Sequence, residues 1–151
     1  MARPAVLGED GAMTDGDGRR GSARGSSSYG RIATIARMAL DLFVVMPVTD
    51  FAAATAWYEK LFGVPFTFRA HDTEVVWELA EHRSIAVNQR PETAGHSHVT
   101  IFVDDLDAVV DGITARGIEP ALRETYGNGV RKITYHDPDG NEIGYGGAPL
   151  G

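Results

Sequence analysis

The chain has 151 residues, 43 % of them apolar, with a formal net charge of −7 and a pI of about 5.1. That length suits one domain, and the acidic balance argues against nucleic acid or an anionic membrane surface as partner, since both require clustered Lys and Arg. The absence of cysteine excludes disulfides, thiolate catalysis and thiolate metal sites, and no stretch resembles a membrane span or a cleavable leader, so a soluble cytoplasmic protein is the expectation.

The first 37 residues include "GEDGAMTDGDGRRGSARGSSSYG", rich in Gly, Ser, Asp and Arg and nearly devoid of apolar side chains. Such a stretch cannot bury enough surface to offset its ordering entropy, and it is predicted to be a disordered extension. Met38 stands at the composition boundary. One explanation is a start codon at Met38; the other is a flexible regulatory arm. From residue 37 onward the chain carries 17 acidic against 9 basic residues, so the acidity belongs to the domain predicted over 38–148.

Within that domain, "LFVVMPV" (42–48) is a β-rich run. Asp50 is an N-cap for a helix over "FAAATAWYEKLFG", with Phe51, Ala54, Trp57, Tyr58, Leu61 and Phe62 on one side and Gly63 as its stop. Three strands follow: "FTFR" after Pro65, "EVVWELA" (74–80) and "RSIAVNQ" (83–89). The order then recurs. "HVTIFV" (98–103) is a strand, Asp105 caps a helix over "LDAVVDGITARG", and Pro120 opens a short strand. "VRKITYHD", the turn "DPDGN" and "EIGYG" complete the second half.

Val48 to Val103, Asp50 to Asp105 and Pro65 to Pro120 are each 55 residues apart. Independent features sharing one offset indicate an internal duplication, with module one at about 40–90 and module two at about 96–147. The same offset places Phe43 opposite His98.

"VTDFAAATAWYEKLFGV", "HVTIFVDDLDAVVDGITARGIEP" and "YGNGVRKITYHDPDGNEIGY", in this order and spacing, resemble the vicinal oxygen chelate superfamily. That superfamily includes glyoxalase I, bleomycin-resistance proteins, fosfomycin-resistance enzymes and extradiol dioxygenases. The resemblance covers about residues 40–147. It implies an α+β fold of two βαβββ modules forming an open, cup-like barrel around one cavity. In metal-dependent members a His or similar ligand lies on the first strand of each module and a Glu on the last. Carried over, these positions hold Phe43, His98, Gly144 and, loosely aligned, Asn88. One strong ligand does not hold a catalytic ion, so no cofactor is expected. Glu142 lies two residues before Gly144 on the same strand face, near the cup's rim, and a divalent metal would require substitutes such as His96, Glu74 or Glu78.

His98 is thus the best catalytic candidate, since histidine can act as acid or base near neutral pH. A strand-start histidine satisfied by backbone or water is equally open. By alternation, His98, Thr100 and Phe102 face the cup from the second module and Phe43, Val45 and Pro47 from the first, with Ser84, Ala86 and Asn88 joining them. Strand 74–80 is ambiguous, and Trp77 is either a stacking surface in the cavity or core. The expected ligand-binding set is Phe43, Trp77, Asn88, His98, Thr100 and Phe102. Residues 126–129 read as a cavity-mouth lid or an ordinary hairpin turn. Arg131 and Lys132 read as solvated, and His71, His82 and His136 as lying in or beside turns.

Two functions follow. The first is a metal-free small-molecule binder similar to bleomycin-resistance proteins, working as a homodimer, with the domain's negative charge suiting a cationic ligand. The second is an enzyme of lyase, dioxygenase or isomerase type with divergent ligands or acid–base chemistry. No motif names the ligand.

Overall fold

Two four-stranded sheets, each carrying one helix, make up the described residues, 40–151, of a computed structural model. The expected N-terminal extension and the Met38 boundary lie outside those residues. The first module runs β1 (Leu42–Val48), α1 (Phe51–Phe62), β2 (Phe68–His71), β3 (Glu74–Ala80) and β4 (Arg83–Gln89). A 3-10 turn at Pro91–Thr93 leads to the second: β5 (His98–Phe102), α2 (Leu106–Ala115), β6 (Leu122–Thr125), β7 (Arg131–His136) and β8 (Glu142–Gly147). The strand orders are β1-β4-β3-β2 and β5-β8-β7-β6, and in each sheet the first strand runs parallel to the last. The duplication seen in the sequence is therefore a duplication of topology. The two sheets remain unclosed, as expected of an open α+β cup.

Local chemistry fixes the helices. Asp50 accepts from Ala53 N at 3.0 Å and Asp105 from Ala108 N at 2.9 Å, satisfying amides that a first turn leaves free. Gly63 ends α1 in the left-handed region (φ 73°), with its N–H donating to Glu59 O. Arg116 crosses from the end of α2 and donates to Leu61 O at 2.9 Å and to Lys60 O, closing carbonyls that α1 cannot pair itself. Strand β2 starts at Phe68, later than expected. Before it, Thr67 N bonds Val76 O while the Thr67 hydroxyl accepts from Glu78 N, so side-chain bonding replaces part of the regular ladder.

One face of each sheet packs under the helices. Met46, Val48, Val75, Ile85 and Val87 from the first sheet and Ile133, Tyr135, Ile143 and Tyr145 from the second join Tyr58, Leu61, Val110 and Ile113 in a single core. Each such large side chain contributes roughly 1.5–3 kcal/mol when fully buried.

A polar clasp also joins the modules. In the "DPDGN" turn, Asp137 and Asn141 are buried. The Asp137 carboxylate accepts from Tyr58 Oη and Asn141 Nδ2 through Oδ2, and from the backbone N–H groups of Asp139 and Asn141 through Oδ1. Asn141 Nδ2 also donates to Pro47 O at 2.7 Å, and Thr49 N donates to Asp139 Oδ2 at 2.9 Å. The turn of module two thus grips the β1–α1 junction of module one.

Candidate functional site

Strand alternation sends every second side chain to the face away from the helices. In module two, register places these open-face residues in rows. His98, Glu142 and His136 lie side by side across β5, β8 and β7. Thr100, Gly144, Thr134 and Leu122 form the next row, and Phe102, Gly146, Lys132 and Glu124 the third. Module one presents Phe43, Ser84 and Glu78; then Val45, Ala86, Val76 and Phe68; then Pro47, Asn88, Glu74 and His71.

These faces combine exposed apolar groups with carboxylates and imidazoles. Phe43 is 52 % and Phe102 66 % exposed. Val45, Phe68 and Leu122 are exposed as well. His136 Nε2 lies 3.4 Å from Glu142 Oε1, and Asn88 donates from Nδ2 to Glu74.

Register tests the four positions at which the family resemblance would place metal ligands. Gly144 pairs with Thr100; the offset takes Thr100 to Val45, whose partner on β4 is Ala86. The first-module equivalent of Gly144 is therefore Ala86. Asn88, the loosely aligned sequence choice, lies two residues further along β4 and is held by Glu74. The four positions hold Phe43, Ala86, His98 and Gly144, and only His98 has a donor atom. Among the described residues no group of three or more His, Cys, Asp or Glu side chains is arranged to hold an ion. Side-chain Lys132 adds to the misfit: its Nζ would lie 3.6 Å from a Cβ on Gly144, a cation beside the position of a ligating carboxylate. These residues do not fit the family's metal.

The remaining expected site residues divide. Thr100 and Phe102 also line a cleft of about 470 Å³ between the modules, together with Leu42, Leu79, Arg83 and Ser84. His98, Phe43 and Asn88 stand on the open faces outside it. Trp77 is a correction: it points under the helices, 1 % exposed, packed against Tyr58, Phe62 and Phe66, with Nε1 donating to Val64 O at 3.0 Å. Both faces of β3 carry apolar residues, so alternation alone could not choose its side. The core alternative holds, and Trp77 offers no stacking surface to a ligand.

Residues 126–129 form a hairpin turn: Tyr126 N bonds Val130 O, Gly129 N bonds Tyr126 O, and Asn128 accepts from Val130 N. Arg131 and Lys132 correct the solvated reading. Arg131 is half-buried and pairs with Asp107 at 2.7 Å, which holds the Asp107 carboxyl below its ordinary range. Lys132, also half-buried, lies along the open face. Nothing local in "VRKITYHD" marks either role, because both depend on neighbouring strands and helices.

Comparison with known proteins agrees with this architecture. Residues 39–145 match the Glyoxalase/Bleomycin resistance protein/Dioxygenase superfamily. The crystal structure of a glyoxalase/bleomycin resistance protein from Catenulispora acidiphila DSM 44928 is similar at 53 % identity and a TM-score of 0.71, over 74 % of this chain and 100 % of that one. A bleomycin resistance determinant encoded on transposon Tn5 is similar in fold, at 21 % identity and a TM-score of 0.61, over 73 % of this chain and 98 % of the other. TnmS3, an antibiotic binding protein from Streptomyces sp. CB03234, shares the fold at 22 % identity and a TM-score of 0.58, over 74 % and 98 %. No curated protein matches the chain. Among the described residues no helix is long and apolar enough to cross a membrane. The matched family and the paired βαβββ modules agree: the chain belongs to the Glyoxalase/Bleomycin resistance protein/Dioxygenase superfamily.

Proposed function

We propose that this protein binds a small molecule on its open sheet faces and in the adjoining cleft, without a catalytic metal, in the manner of a bleomycin-resistance-like binder. The observation that carries the reading is the content of the four ligand positions. Phe43, Ala86 and Gly144 offer no donor, while the surface around them is apolar and exposed at Phe43, Val45 and Phe102. A cleft of about 470 Å³ is of the size that takes drug-sized ligands. The same exposed faces support a homodimer in which a second copy covers part of each sheet. The cytoplasm is the compartment this reading supposes.

The test is elemental analysis of protein purified without chelator and again after addition of Mn²⁺, Ni²⁺, Zn²⁺ or Fe²⁺, alongside thermal unfolding against a small-molecule panel. Binding at the faces raises Tm with ligand concentration by linkage. Near-stoichiometric metal that is lost in His98→Ala would sink the metal-free reading. A monomeric mass at micromolar concentration would remove the dimer.

One arrangement favours a second reading. His98, Glu142 and His136 occupy one row, with His136 and Glu142 already in contact, and together they could serve acid–base chemistry on a ligand bound above them. Turnover abolished by both His98→Ala and Glu142→Gln would establish that enzyme in place of a binder.

A further inference from the structure

Beyond Glu142, strand β8 is bare along the open face of module two. Gly144 and Gly146 present no side chain there, and two neighbouring side chains lie down over the space. From β5, the Phe102 ring covers Gly146, where a Cβ would stand 2.7 Å from the ring. From β7, Lys132 leans away from its own register partner Gly146 and over Gly144. A Cβ on Gly144 would lie 2.6 Å from Lys132 Cε, 3.6 Å from Nζ and 3.2 Å from Thr100 Oγ1. The glycine is what admits the lysine, since any larger residue would have to displace the stem.

Lys132 is half-buried, and Glu124 is its register neighbour on β6. Even so, among the described residues no carboxylate lies within 4.0 Å of Lys132 Nζ. The Lys132 stem rests on the bare strand, and its ammonium has an ion-pair position open to an incoming anion. Thr100 Oγ1 borders the same spot with a hydroxyl, and the exposed ring of Phe102 lies one row away.

We propose that Lys132 and Thr100 anchor the carboxylate of a small organic acid whose apolar body lies on Phe102. This rests on the binding role proposed above and names the class of ligand. A positive charge then sits where the metal-dependent relatives of the fold would gather metal ligands, supplied by a side chain. The domain's overall acidity does not oppose this at contact distance. Exposed charges are screened beyond about 8–10 Å at physiological salt, whereas a half-buried pair is screened far less. Thr100 and Phe102 also line the cleft between the modules, which leaves room for the body of the acid to extend.

The test is titration of the ¹⁵N-labelled full chain with phenylacetate, its uncharged analogue phenylacetamide, and phenethylamine, followed by ¹H–¹⁵N spectra. The expected result is that the acid moves the signals of Thr100, Phe102, Lys132 and Gly144, and that the amide and amine bind more weakly. Lys132→Met keeps the stem and removes the charge, and it is expected to weaken the acid by about ten-fold or more. Lys132→Arg retains the preference for the acid over the amide. Equal binding of acid and amide at these residues, or undiminished binding of the acid to Lys132→Met, overturns the lysine anchor and leaves small-molecule binding intact. If none of the three probes perturbs the open-face signals, the anchor falls, while the binding role is decided separately by the thermal-unfolding panel.

Discussion

Tyr58 Oη donates to Asp137 Oδ2 at 2.8 Å, joining helix α1 of module one to the "DPDGN" turn of module two across 79 residues of sequence. Both partners are buried, and burial, followed by the neighbouring Asp137, pushes the phenol far above the ordinary tyrosine range, so it remains a donor. Removing the hydroxyl leaves a buried carboxylate oxygen with Asn141 Nδ2 as its remaining partner. Tyr58→Phe is therefore expected to destabilise the fold by about 1–3 kcal/mol, read from urea unfolding. Tyr135 offers an internal control. Its buried hydroxyl has no hydrogen-bond partner among the described residues, so Tyr135→Phe removes an uncompensated desolvation cost and should leave stability unchanged or raise it. Equal losses in the two variants would refute the clasp.

Gly63 and Arg116 meet at the end of α1. Gly63 sits at φ 73°, and a Cβ there would stand 2.9 Å from the Arg116 guanidinium carbon. Gly63→Ala is expected to cost about 1–2 kcal/mol through the left-handed backbone alone. Arg116→Met, which frees Lys60 O and Leu61 O, should cost about 0.5–1.5 kcal/mol. Because the arginine also crowds the new methyl, the double variant should lose less than the sum of the single losses. A strictly additive cycle would mean that the guanidinium does not rest on the glycine.

Trp77 separates packing from binding. It packs at tilted and edge-on angles within the aromatic group of Tyr58, Phe62 and Phe66, and its Nε1 donates to Val64 O. Trp77→Phe should destabilise by about 1–3 kcal/mol through the lost hydrogen bond and the space left behind, while the affinity for a face-bound ligand stays within about two-fold of the original. Phe102→Ala, on the exposed face, should do the reverse. An affinity that collapses in Trp77→Phe, measured at a temperature where the variant is folded, would place the ligand elsewhere.

What the sequence made legible was mostly local or repeated. Asp50, Gly63 and Asp105 announced helix ends because capping is decided within a few residues. The 55-residue offset announced the paired modules because several such signals recur together. His98, Thr100 and Phe102 could be assigned to the open face because β5 alternates cleanly. Asn88 is only a loose alignment from sequence, because the parallel register of β1 on β4, which pairs Val45 with Ala86, depends on strands distant in sequence with no turn to set it. Trp77 was undecidable because Val75 and Val76 give β3 apolar residues on both faces. "DPDGN" read correctly as a turn, but the reach of Asp137 and Asn141 into module one is a tertiary fact. The same holds for Lys132, whose position depends on a glycine of the next strand.

His82 and Asp41 carry a pH dependence. His82 occupies the β3–β4 turn at φ 62°, and its Nδ1 lies 2.5 Å from Asp41 Oδ1. The hydrogen bond to Asp41, followed by the charge of that carboxylate, raises the imidazole above its ordinary value. A histidine whose folded value is raised adds stability that is fully present below its unfolded value, near ~6.5, and lost as the pH climbs through the folded value. Stability should therefore decline across that window, and only slightly, because both groups are exposed. In an NMR titration His82 should show a midpoint above that of an ordinary histidine, and Asp41→Asn should return it towards the ordinary value. A midpoint that is the same in both proteins would show that the contact does not persist in solution.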